Sequence, residues 1–123
     1  MLIKLLLSLL LIGLAALFNA ASDTIDDFFQ SSIFSRLNHS FWNPVISWRN
    51  KWKDGDKTKG ERFIGSSTVF VFLTDGWHLS KFLHLACIFG LLSINIIWWA
   101  GIVAMLIWSI WFEFFYRFFK KEL

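Results

Sequence analysis

The stretch FLHLACIFGLLSINIIWWAGIVAMLIWSIWF, residues 82–112, runs for 31 positions without an Asp, Glu, Lys or Arg. Apart from the Cys87 thiol, its one ionisable side chain is His84. It shows neither the alternation of a half-buried strand nor the polar face of a helix on a soluble domain. Its length decides how it must fold. At a rise of about 1.5 Å per residue, one helix of this stretch would be roughly 46 Å long, against about 30 Å of bilayer hydrocarbon. The chain therefore turns back on itself, and the polar interruption at its middle, Ser93 and Asn95, marks where. This gives two spans, at about residues 77–93 and 97–116, joined as a helical hairpin. In an antiparallel register centred near Asn95, Ala86 is level with Ala104 and Gly90 with Ala100. Small residues then meet at equal depth, where lipid supplies no hydrophobic drive between helices.

Working towards the N-terminus, residues 5–22 form a second uncharged stretch of 18 positions. Behind Met1, Leu2, Ile3 and Lys4 it has the shape of either a first span or a secretory signal peptide. Cutting after Ala20 puts Phe18 at position −3, and cutting after Ala21 puts Asn19 there, so neither site has the small-residue pattern of signal cleavage. An uncleaved span is the favoured reading. Across the whole chain, 56% of residues are hydrophobic and 17% charged, too few polar side chains to clothe a soluble domain of 123 residues. The expected fold is an all-α membrane protein with three transmembrane helices, a first span plus a C-terminal hairpin, and an interfacial amphipathic helix in the first loop.

Ten of the twelve Lys and Arg residues lie between residues 23 and 66 or in the tail with Arg117, Lys120 and Lys121. Cations near span ends are retained on the cytoplasmic side. The chain is thus expected to cross the inner (cytoplasmic) membrane as a multi-pass protein, with its N-terminus outside and the loop and C-terminus in the cytoplasm. A cleaved, two-span chain would instead place the same cations outside.

Within the loop, Ile25, Phe28, Phe29, Ile33 and Leu37 recur at helical spacing over residues 24–37, and Thr24 with Asp27 has the form of a capping box. Such a helix lies on the membrane surface or packs its Phe face on the bundle. Pro44 ends any helix before it. The next segment interleaves Trp48 and Trp52 with Arg49, Lys51 and Lys53, and Trp42 precedes it. Indoles and cations in this pattern favour the headgroup layer and its anionic lipids. The same pattern binds single-stranded nucleic acid, but adjacent spans already account for both residue types, so no nucleic-acid partner is expected. Residues 53–60 read as a solvated turn rather than a calcium loop, because Lys59 stands where that motif needs Gly. Residues 63–73 fit a strand, an extended approach to the membrane, or an early start to the second span.

Ionisable groups at span ends are the default pointers to function. Thr74 or Asp75 caps the second span, which carries His78, Lys81, His84 and Asn95, while Glu113 and Arg117 sit four apart on the third. Asp75, His78, Lys81, His84 and Glu113 are the candidate functional polar residues. In the hairpin register above, Lys81 and Glu113 turn away from the small-residue contact. Their polar faces are expected to meet the first span, another subunit or the headgroups, with a proton relay through His78, His84 and Glu113 as a further reading. His39, His78, His84 and Cys87 have no ligand-type spacing, so no metal, cofactor or catalytic set is expected.

Five pieces together resemble an uncharacterised family of small bacterial integral membrane proteins: Phe18-Asn19-Ala20, Ser32-Ile33-Phe34, Phe41-Trp42-Asn43-Pro44, the run from Ser47 through Trp48, Arg49, Asn50, Lys51 and Trp52 to Lys53, and the run from Val71 to His78. The resemblance implies no activity. It implies histidines before the Phe pair, where this chain has Asp26 and Asp27. The expected function is structural: a non-enzymatic protein that assembles or docks with the bilayer, a second copy or another membrane protein through its basic, Trp-rich loop. A small holin-like pore former and a lipid-modifying enzyme using Asp75, His78 or Glu113 are the alternatives.

Overall fold

The computed structural model describes residues 1–121. In chain order it comprises α1 (Leu2–Phe28), α2 (His39–Trp42), α3 (Pro44–Ser47), α4 (Gly76–Asn95) and α5 (Ala100–Phe119). Short 3-10 turns at Phe29–Ser31, Ile33–Arg36, Trp48–Lys51, Lys53–Gly55, Lys57–Lys59 and Val71–Leu73 fill the long connection. Among the described residues there is no strand, and residues 63–73 are a series of turns. Three stretches are long and apolar enough to cross a bilayer: Leu2–Ser31, Gly76–Asn95 and Ala100–Phe119, whose 18-residue windows reach mean hydropathies of 2.3, 1.4 and 1.5. The latter two, of 20 residues each, are about 30 Å long and match the hydrocarbon without excess. The chain is an all-α membrane protein with three such helices among its described residues.

The helix bounds differ from expectation at α1. It does not stop near Ser22; it continues to Phe28, so Thr24 and Asp27 lie inside it and form no capping box. No Gly or Pro interrupts residues 14–28, and a helix leaving the hydrocarbon has no reason to break where the solvent changes. The ladder ends where Phe28 leaves helical geometry at φ −134°, and the Ser31 and Ser32 hydroxyls donate to the Phe28 and Phe29 carbonyls at 3.2 and 2.8 Å. The separate amphipathic helix over residues 24–37 is thus the last turn of α1 followed by two 3-10 turns.

The residues fall into two compact units. The first joins Met1–Leu14 with Leu85–Leu123 and holds the hairpin of α4 and α5. The turn lies between Asn95 and Ala100, as the polar interruption predicts. The small-residue contact is made by a different glycine. A Cβ on Gly101 would strike the Phe89 carbonyl oxygen and the Ser93 hydroxyl, and Gly101 donates its N–H to Ser93 Oγ at 3.0 Å. Gly90, expected opposite Ala100, instead faces α1, with Leu11 Cδ1 at 3.5 Å and no atom of α5 within 4 Å of its Cβ position. Asn95 Nδ2 donates to Ser8 Oγ at 3.0 Å, so the polar face of α4 meets the first span there. The C-terminal half of α5 carries two stacked aromatic rows, Trp108 with Phe112 and Tyr116, and Trp111 with Phe115 and Phe119.

The second unit, Ala15–His84, is where the connection folds. Ile25 near the end of α1 and Phe29 in the turn after it are buried apolar side chains of this unit. Phe34 stacks on Trp42 and Phe72 on Phe82, with centroids 5.4 and 4.0 Å apart. His84 Nδ1 lies 2.9 Å from the Ala15 carbonyl, a second polar contact of α4 with the first span.

The candidate interface at the start of the second span

Buried polar side chains gather in the second unit: Asn43, Ser47, Ser66, Thr74, Asp75 and Ser80 are all at most 8% exposed. In a dry setting such groups are tolerated only with partners, and among the described residues none is left without one. Asp75 is the N-cap of α4. Its Oδ1 accepts the His78 backbone N–H at 2.8 Å, and its Oδ2 lies 2.7 Å from His78 Nδ1. The Thr74 hydroxyl donates to the Val71 carbonyl at 2.6 Å and sits 3.3 Å from the same Oδ2. Both carboxylate oxygens are therefore committed to starting the helix and holding the imidazole, which leaves Asp75 poorly placed to abstract a proton from a substrate.

Asn50 does what no sequence pattern announced. Its Nδ2 donates one proton to the Ser40 carbonyl at 2.6 Å and the other to the Thr74 carbonyl at 2.8 Å, clamping the Trp48–Lys51 turn between α2 and the start of α4. Trp42 is drawn inward in the same place, its ring lying where a side chain on Gly76 would project. Asn43 caps α3 through the Val45 N–H at 3.1 Å, with Pro44 at the first helical position, so the break before Pro44 is realised as expected. The signal for Asn50 was weak: one amide between Arg49 and Lys51, in a run whose cations and indoles dominate the reading.

The basic segment closes as a small hairpin. Trp52 bridges Glu61, Lys53 N–H donates to Gly60 at 3.1 Å, and Arg62 N–H donates to Lys51 at 2.9 Å. The fully buried Ser66 hydroxyl donates to the Lys51 carbonyl at 2.7 Å. Glu61 accepts from the Ser67 hydroxyl and from the Gly65 and Ser67 amides, bonds that favour its ionised form and hold its carboxyl below the usual glutamate range. The Thr58 hydroxyl and amide do the same for Asp56.

On the outside of this unit cations lie over indoles: Arg49 over Trp48 at 5.5 Å from the ring centroid, Lys57 over Trp52 at 5.8 Å, and Lys81 over Trp77 at 5.8 Å. Trp48, Arg49 and Lys53 are exposed, and Lys51 and Trp52 half-buried. Asp75 and His78 come together as cap and partner, while His84 holds α1. In the other unit, Glu113 accepts from Arg117 Nε at 2.6 Å. Among the described residues no three His, Cys, Asp or Glu side chains come close enough to hold a metal ion.

No family model, curated protein or solved structure matches the chain.

Proposed function

We propose that the chain is a non-enzymatic protein of the inner membrane whose folded loop docks against the anionic headgroup layer, with the N-terminus outside and the loop and C-terminus in the cytoplasm. The observation that carries this reading is the set of cation and indole pairs on the second unit. Arg49 with Trp48, Lys57 with Trp52 and Lys81 with Trp77 each join a ring suited to the headgroup layer to a charge attracted by anionic lipid. The Asp75 carboxylate, the best-placed acid–base group, is spent on a helix cap. Amide exchange of residues 39–63 in bilayer discs tests the docking. Slower exchange in discs with an anionic lipid than in zwitterionic ones is expected, and equal exchange in both would refute it.

A further inference from the structure

We propose that Arg49 and Arg62 form a binding site for the phosphodiester of an anionic phospholipid. The proposal rests on the docking reading above and narrows it to one site. Arg49, Asn50, Trp52, Asp54, Gly55 and Arg62 line a concave polar pocket of about 260 Å³. That is below the range for drug-sized ligands and suited to a small headgroup.

The charge balance of the pocket is the first argument. Between residues 49 and 62 the chain has six Lys and Arg against three Asp and Glu. Asp54, which lines the pocket, is paired with Lys59 Nζ at 3.1 Å, while Asp56 is engaged by Thr58 and Glu61 by Gly65 and Ser67. Neither guanidinium has an ion pair with a carboxylate among the described residues. Two arginines that line one polar pocket, neither ion-paired with its single carboxylate, favour an anion, and their planar forks match the oxygens of a phosphate.

The second argument is that the pocket is held in shape. Arg62 is fixed across the bridge from Lys51, and Asn50 anchors the turn carrying Arg49 to the Thr74 carbonyl, two residues before α4 begins. Gly55, at φ +71°, lets the chain pass against the Arg49 stem, with a Cβ there only 3.3 Å from Arg49 Cβ. Asp54 beside it takes the left-handed conformation at φ 53°, a cost a non-glycine residue bears only when its surroundings fix it. The third argument is location. The bond from Asn50 to the Thr74 carbonyl ties the pocket's Arg49 turn to the start of a helix long and apolar enough to span, and headgroup phosphates lie at such ends.

The test is lipid retention by the full chain purified in a zwitterionic detergent, read by native mass spectrometry with phosphatidylglycerol, phosphatidylcholine or inorganic phosphate added. The expected result is that phosphatidylglycerol is retained preferentially, and that R49Q/R62Q weakens its binding by about tenfold or more. R36Q/K53Q, which removes equal charge outside the pocket, should change it less than about threefold. R49K/R62K keeps the charge without the fork and should fall between. Equal losses in R49Q/R62Q and R36Q/K53Q would overturn the site while leaving general docking in place. No preference for phosphatidylglycerol in any variant would refute docking itself. Displacement of the lipid by millimolar inorganic phosphate would overturn the lipid assignment. Unchanged amide exchange at Gly65 and Ser67 in R49Q/R62Q verifies that the loop is still folded.

Discussion

A Cβ built on Gly76 would run into the six-membered ring of Trp42, with Cζ3 at 2.7 Å and Cδ2 at 2.8 Å, so this glycine is required by close approach rather than by backbone conformation. Trp42 in turn stacks on Phe34, so displacing it disturbs that pair. Gly76→Ala is therefore expected to lower the stability of the second unit by about 1–3 kcal/mol, the usual cost of overpacking, read as a fall in its thermal midpoint in detergent. Glu61 gives a pH-dependent counterpart. Its folded-state carboxyl titrates below its unfolded value, so the stability it contributes is present above the usual glutamate range and is lost as pH falls through the lowered value. Opening of the turn, from amide exchange at Gly65 and Ser67 corrected for the intrinsic pH dependence, should rise on acidification in the native chain. In Glu61→Gln it should start higher and stay flatter across the same range.

The three long helices were legible because lipid makes the reading simple: with no water to complete backbone hydrogen bonds, an apolar run of sufficient length has to be helical. The hairpin turn followed from the same arithmetic. Which glycine makes the contact did not, because helix rotation depends on packing against a third element. Gly90 and Gly101 look alike in sequence until Leu11 is seen to face one of them and the Phe89 backbone the other. That difference is measurable. Gly101→Ala places a methyl group against a carbonyl that cannot move without shifting α4, and about 1–3 kcal/mol of hairpin stability should be lost. Gly13→Ala meets nothing within 4 Å and should be neutral or gain up to about 1 kcal/mol from helix propensity. Reversible unfolding of both variants in mixed micelles separates the two outcomes. The loop was the illegible part, since its turns are held by single bonds from Asn50, Ser66 and Glu61 to backbone groups far along the chain, and no periodicity encodes those. Asp75 as a cap was readable because its partner is local, three residues on.

At the level of the whole molecule, the three proposed spans are an odd number, which puts the loop after α1 and the segment after α5 on one side of the membrane and the N-terminus on the other. The proposed cytoplasmic identity of that side rests on the cations: Arg36, Arg49, Lys51, Lys53, Lys57, Lys59 and Arg62 in the loop, with Arg117, Lys120 and Lys121 towards the C-terminus, against Lys4 alone at the opposite end. Keeping Lys and Arg near span ends in the cytoplasm outweighs other sequence influences when loops are short, as here. A reporter active only in the cytoplasm should be active when fused near Lys57 and at the C-terminus, and one active only in the periplasm should fail at both. A periplasmic signal from both fusions would reverse the orientation and move the Arg49 and Arg62 pocket to the outer leaflet. Opposite signals from the two would remove one arm of the hairpin as a span. Neutralising Arg36, Arg49, Lys51 and Lys53 together should raise the periplasmic fraction of the Lys57 fusion, because the charge bias, rather than the apolar helices, sets the direction of insertion.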